Sequence, residues 1–238
     1  MAAATSSSSS SSSTVIVEIK EGLEPYVRSD SGTLTLHAIK DHMIGPDDAL
    51  LLEWEGLTFM ESPSTMVWGR AAPNLPTGLV VMPAPIPNEA IIYNASDDIA
   101  RITAHMPLVV VRAGQREVPK PSLLPSIMKE KADACDAPYE KGVVSLHSRE
   151  TFGLPAKTCL PVDSGIKITP PPGMEAVTVA KPSEGGLGVW GCDPGLLLVT
   201  NAGAAEARLC LGQQLATCCF CSVESAPDFV VVNEEDFD

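Results

Sequence analysis

A strand-turn-strand pattern written twice constrains this chain more than anything else in it. From Leu196 to Phe220 an apolar run, Leu196 to Val199, breaks at a polar corner, Asn201-Ala-Gly203. Alternating Ala207, Leu209 and Leu211 follow, then Gly212 and a last apolar run, Leu215 to Phe220. Short apolar or alternating runs cut by turn residues are the signature of a β-sheet unit. Ile92-Tyr-Asn-Ala-Ser-Asp-Asp-Ile-Ala-Arg-Ile-Thr103 aligns without a gap on Val199-Thr-Asn-Ala-Gly-Ala-Ala-Glu-Ala-Arg-Leu-Cys210. Asn94 meets Asn201, Ala95 meets Ala202, Arg101 meets Arg208, and further on Leu108 meets Leu215. Upstream, Gly32-Thr-Leu-Thr-Leu-His37 matches Gly142-Val-Val-Ser-Leu-His147, and Gly56-Leu57-Thr58-Phe59 matches Gly165-Ile166-Lys167-Ile168. Three matches in one order predict two tandem copies of a β domain of ordinary size.

The expected organisation is a Ser-rich disordered tail (residues 1–14), a first β domain (15–112), a linker (113–139), a second β domain (140–224) and an acidic tail (225–238). Eight consecutive serines bury no apolar surface. The 21 prolines and 18 glycines fall between apolar runs, as turns do in an all-β fold. The best helical stretch is Leu123 to Ala137, in the linker. Gly69 to Gly78 reads as a loop. The acidic tail is expected to be free unless Phe229 to Val232 adds a strand to a neighbouring sheet.

Of the 238 residues, 45% are apolar, enough for two modest cores. A formal net charge of −14 argues against nucleic acid and against anionic membranes as partners. No apolar run reaches the roughly 20 residues that span a bilayer. The N-terminus has neither the basic start nor the apolar core of a secretion signal. An intracellular site is therefore expected, with the seven cysteines mostly as free thiols.

The order of motifs in the second copy resembles the trimeric dUTPase family. It runs Val143-Val-Ser-Leu146, Leu154-Pro-Ala156, Asp163-Ser-Gly-Ile-Lys-Ile168, Pro171-Pro-Gly173, Val179-Ala-Lys-Pro-Ser183, Asn201 and Gly212-Gln-Gln-Leu-Ala216. The first copy matches more weakly, with Gly69-Arg-Ala-Ala-Pro73 similar to the family's phosphate-loop motif. The resemblance implies an all-β fold of two tandem dUTPase-like β-barrel or jelly-roll domains, similar to those embedded in viral and retroelement polyproteins.

The catalytic part of the resemblance fails. Such chemistry needs a carboxylate to orient water and others to hold Mg²⁺. On the ungapped alignment the catalytic acid position is Val81 in copy one and Gly188 in copy two, and the tyrosine and arginine positions hold Ala84 and Pro85. The first-strand acid is Thr35 or Ser145, and the Gly-rich C-terminal arm is replaced by an acidic tail. The expectation is a non-catalytic structural or protein-binding module, with no catalytic, cofactor-binding or metal residues and no cofactor. Its partners are proteins or further copies in a homo-oligomer, in the cytoplasm or a virion, for example as a capsid or surface-projection component. The alternatives are a divergent dUTPase with its site rebuilt from Asp163, Ser183 and Asp193, and a nucleotide-binding regulator.

Other candidates read as structural. His37 and His147 share a position, as packed histidines or as a paired, pH-sensitive contact. Cys210, Cys218, Cys219 and Cys221 cluster, but zinc needs four converging ligands and Cys218 to Cys221 offers one knuckle spacing without a second. Alternation places Cys219 and Cys221 on one face and Cys218 on the other, as small apolar fillers. Asn94-Ala-Ser96 is a glycosylation sequon best explained by turn formation. Gly185-Gly-Leu-Gly188 is a weak phosphate-cradle signal, and Trp68 and Trp190 are core or interface anchors.

Overall fold

A computed structural model describes residues 14–30, 32–60, 65–84, 86–180, 187–191, 195–223 and 226–233. The serine run and the end of the acidic tail, both expected to be free, lie outside them. The first strands are β1 (Thr14–Ile19), β2 (Val27–Asp30), β3 (Thr33–His37), β4 (His42–Ile44), β5 (Ala49–Glu53) and β6 (Leu57–Met60). They are followed by β7 (Thr65–Ala71), β8 (Leu79–Pro83), β9 (Glu89–Asn94), β10 (Ala100–Ile102) and β11 (Pro107–Arg116). Next come β12 (Ser126–Lys129), β13 (Tyr139–Glu140), β14 (Val143–His147), β15 (Phe152–Leu154), β16 (Cys159–Asp163) and β17 (Ile166–Thr169). The chain continues through β18 (Met174–Ala180), β19 (Leu187–Gly191), β20 (Leu196–Asn201), β21 (Ala207–Leu209), β22 (Gln214–Ser222) and β23 (Asp228–Asn233). Among the described residues the helical content is one 3₁₀ turn, Glu24–Tyr26. The protein is all-β.

The pairing diagram is traversed twice. In the first half β1 pairs with β6, β2 with β3, β4 with β10, β5 and β8 with β9, and β3 and β7 with β11. Eleven strands later β12 pairs with β17, β13 with β14, β15 with β21, β16 and β19 with β20, and β14 and β18 with β22. Even the irregularities coincide. A register shift falls between Pro107 and Val109 on β11 where it meets β3, and between Leu146 and His147 where β14 meets β22. Such bulges are specified features of a sheet. Left-handed backbone recurs at matched turns, Asp47 with Lys157 and Gly56 with Gly165.

Each half buries its own core. The first contains Leu34, Leu36, Ile44, Leu57, Ile92, Ile102 and Leu108. The second contains Val144, Leu146, Leu154, Ile166, Val199, Leu209 and Leu215 at the matching positions. The bulkiest filler differs: Trp54 in the first core and Phe220 in the second. The matching positions hold small residues, Ser164 opposite Trp54 and Ala113 opposite Phe220, all buried. Packing density thus stays high while the large residue moves between strands.

Two expectations are corrected. Leu123 to Ala137 is not helical: Ser126–Lys129 pairs with β17 as β1 pairs with β6. Prolines at 121 and 125 and the absence of a sustained helical period leave this stretch extended. The loop expected from Gly69 begins too early, because Gly69, Arg70 and Ala71 still pair with β11. For the acidic tail the strand reading holds: β23 lies parallel to β1, and Phe229 is buried in the first core.

Asn94 and Asn201 are buried pins, more than turn formers. Asn94 Nδ2 donates to the carbonyls of Ile44, Gly45 and Asp98 at 2.7–3.1 Å. Asn201 Nδ2 donates to Leu154, Pro155 and Ala205 at 2.8–3.1 Å. Each Oδ1 accepts a backbone N–H two residues on, from Ser96 or Gly203. Each side chain ties the end of a short strand, Ile44 or Leu154, to two neighbouring turns. With its amide fully buried, Asn94 is also closed to glycan attachment. Asn94→Ala or Asn201→Ala is expected to cost at least about 2 kcal/mol in urea denaturation, because buried carbonyls are orphaned. Asn94→Asp is expected to cost more, since it points an acceptor at three acceptors.

Candidate functional site

The chemistry-bearing side chains gather where the two halves meet. β11 runs on past β3 to pair with β22 through Gln115 with Ser222 and Arg116 with Cys221, so one eight-stranded sheet crosses both halves. Gly114 permits this approach: a Cβ there would collide with the carbonyl oxygen of Ser222.

On β7 and β11, alternation turns Val67, Val111 and Ala113 into the first core and leaves Met66, Trp68, Arg70 and Arg112 on the other face. The second half turns Glu175 and Val177 of β18 and Cys219 and Cys221 of β22 to the same seam. Trp68, Val177, Cys219 and Cys221 form a buried cluster flanked by Met66, Val143, Val179 and Val223. Glu175 is its polar centre. Its carboxylate accepts from Arg70 Nε at 2.9 Å, from Trp68 Nε1 at 3.2 Å and from Arg112 Nη1. Arg70 also donates to the Ala176 carbonyl at 2.9 Å. A second contact joins Met82, Ile91 and Tyr93 to Leu198, with Trp190 and Cys159 packed beside them. The Tyr93 phenol donates to Asp47 at 2.8 Å, and burial followed by that bond pushes it up to about 12. Trp68 and Trp190 are thus interface anchors.

The remaining candidates fall as follows. Val81 is buried and pairs with Ile92. Its structural counterpart is Val189, paired with Val199, and not Gly188 as the ungapped alignment has it. The hairpin between the paired strands is one residue shorter in the second half, a deletion the alignment could not see. Gly188 is a strand residue opposite Thr200 and so no phosphate cradle; Gly185 lies outside the described residues. Thr35 and Ser145 sit on β3 and β14, paired with Val110 and Thr217. Asp163 accepts from the Gly165 N–H at 2.7 Å, shaping the turn into β17. Ser183 and Asp193 lie outside the described residues, as does Pro85. Ala84 closes the strand pair by donating its N–H to Glu89.

Arg70, the basic residue of the loop motif Gly69-Arg-Ala-Ala-Pro73, is the residue the sequence placed wrongly. It holds the other half, through Glu175, where the motif implied a phosphate. Cys210 is exposed and stands apart from the buried Cys218, Cys219 and Cys221, whose two-sided alternation is as expected. No group of three or more His, Cys, Asp or Glu side chains converges among the described residues. Nothing in the sequence marked Met66 or Glu175, because each acts across a contact between strands more than a hundred residues apart.

His37 and His147 do occupy matched positions beside the matched bulges. His37 is buried, its Nδ1 lies 3.2 Å from the Tyr26 carbonyl, and its own carbonyl accepts from Trp54 Nε1 at 2.9 Å. Burial lowers its pKa from the ordinary value, and burial lowers that of His42 likewise.

No protein-family model matches the sequence, and no curated protein does. A search of solved structures finds similarity to the native dUTPase of EIAV, at 20% identity, covering 43% of this chain and 91% of that one, with a TM-score of 0.36.

Two outcomes follow from this geometry. Glu175→Gln keeps the shape but leaves Arg70 and Arg112 facing each other without a counter-charge. It is expected to lower stability by about 1–3 kcal/mol in chemical denaturation, the partial exposure of both arginines limiting the effect. Histidines whose folded pKa lies below the unfolded value bind protons more readily when unfolded, so stability is complete above about pH 6.5 and falls below it. Unfolding curves at about pH 7.5 and about pH 5.5 should show this loss, and His37→Gln should reduce the difference.

Proposed function

We propose that the chain is a non-catalytic structural or protein-binding module, built from two tandem, degenerate copies of a dUTPase-like fold. The reading is carried by Arg70. The arginine of the motif that would cradle phosphate is committed to Glu175 and the Ala176 carbonyl of the opposite half. Its Nε and Nη2 are engaged within the protein, against a carboxylate that it shares with Arg112. The buried apolar residues Val81 and Val189, at the position where the family carries its acid, support the same conclusion.

Binding by sheets is the mode the fold favours. β1 already holds an extended segment from far along the chain, β23, by parallel main-chain pairing, and sheet-edge addition is a recurrent way to recognise protein. The proposed partners are therefore proteins, including further copies of the chain in a homo-oligomer. Nucleic acid and anionic membranes are disfavoured by the net charge of −14. A capsid or surface-projection component is the concrete version of this role. The second reading, a divergent dUTPase or nucleotide-binding regulator, rests on the motif order alone.

Calorimetry with dUTP and Mg²⁺ separates these readings. The expected result is no heat of binding and no release of pyrophosphate, with light scattering on the same sample giving one defined oligomer. Turnover would replace the proposal with the enzyme, and saturable binding without turnover would replace it with the regulator.

A further inference from the structure

At the seam between the halves one thioether sulfur lies within reach of two thiols. Cys219 and Cys221 lie two residues apart on β22, so both project from the same face of the strand. Met66 comes from β7 of the other half. Its Sδ lies 3.8 Å from Cys219 Sγ and 3.6 Å from Cys221 Sγ. Both cysteines are buried. No search for a zinc signature finds this set, because one ligand is a thioether and the two strands are far apart in sequence.

We infer that Met66, Cys219 and Cys221 form a trigonal site for a soft monovalent metal ion, copper(I).

The spacing fits. Metal–sulfur bonds of about 2.3 Å in a flat three-coordinate site place the sulfurs about 4 Å from one another. The two distances from Met66 Sδ are already near that value. The ligand set fits as well. Two thiolates and a thioether are soft donors, which select copper(I) over the harder divalent ions, whereas zinc requires a fourth ligand that the described residues do not supply. The charge balance is tolerable: the ion enters as copper(I), two thiol protons leave to solvent, no electron is transferred, and the resulting single negative charge is offset by the nearby Arg116. Access is available. Met66 is half-buried and lines a small surface hollow with Trp68, Arg70, Val177, Val179 and Gly191. Before metal entry the Cys219 thiol donates to the Val177 carbonyl at 3.6 Å, a bond given up when its proton leaves.

The test is anaerobic competition of the full chain for copper(I) against the chromogenic chelator bicinchoninate. The expected result is withdrawal of one high-affinity equivalent per chain. Met66→Leu leaves all seven cysteines in place and preserves apolar volume, and it should weaken that equivalent at least tenfold. Cys210→Ser, at an exposed thiol, should not change it. Circular dichroism of each variant confirms folding, and X-ray absorption of the loaded protein should show three sulfur neighbours at about 2.3 Å. Copper uptake that Met66→Leu leaves unaltered, or no high-affinity uptake by the parent chain, would overturn the inference.

Discussion

A β-sheet has two faces, and only one can be buried against a small domain's own core. The architecture follows from what covers the second. In each half, the strand pair β7–β11 or β18–β22 turns one side inward to its own core and the other toward its counterpart. Trp68, Val177, Cys219 and Cys221 exclude water from the seam, and Glu175 of one half stands against both Arg70 and Arg112 of the other and offsets their mutual repulsion. Antiparallel sheets commonly leave one face to solvent. Here that face is removed from water by the other half, so neither half presents the surface of an isolated domain.

That arrangement accounts for how the two halves differ. Core positions match almost one for one, Ile92 with Val199 and Leu36 with Leu146 among them, because the same enclosed shape must be filled. Seam positions do not match. Met66 stands where the other half has Glu175, Trp68 where it has Val177, and Arg112 where it has Cys219. Two identical faces would oppose like with like, whereas unlike faces can offer a carboxylate to a guanidinium and an aromatic ring to small thiols.

The legibility of the sequence divides along the same line. Elements with strong period-two alternation and clear punctuation, such as Val143–His147 and Met174–Ala180, emerge from the residues with their observed bounds. Short strands such as His42–Ile44 and Phe152–Leu154 do not, because three residues carry no period. The asparagine match between 94 and 201 was visible, and its physical reason, a buried amide tying two turns together, was not. A one-residue deletion in a hairpin moved the copy-two counterpart of Val81 from Gly188 to Val189. Arg70 shows the deepest failure. A loop motif gives the residue type but not the tertiary partner, and it was the carboxylate of Glu175 that decided where the guanidinium went. Local pattern reports which face of a strand is apolar; it cannot report what arrives from a hundred residues away to cover it.

The parallel pairing of β23 with β1 ties biosynthesis to architecture. The opening strand of the first half is flanked on one edge by β6, which leaves the ribosome soon after it, and on the other by a segment translated only after the entire second half. A nascent first half can therefore collapse around Trp54 and Leu34 while Phe229 is still missing from its core and one edge of β1 lies bare. Closure across so long a sequence separation is entropically slow. Throughout elongation that bare edge is a template for any extended chain nearby, including the same segment of a neighbouring polypeptide on the same message.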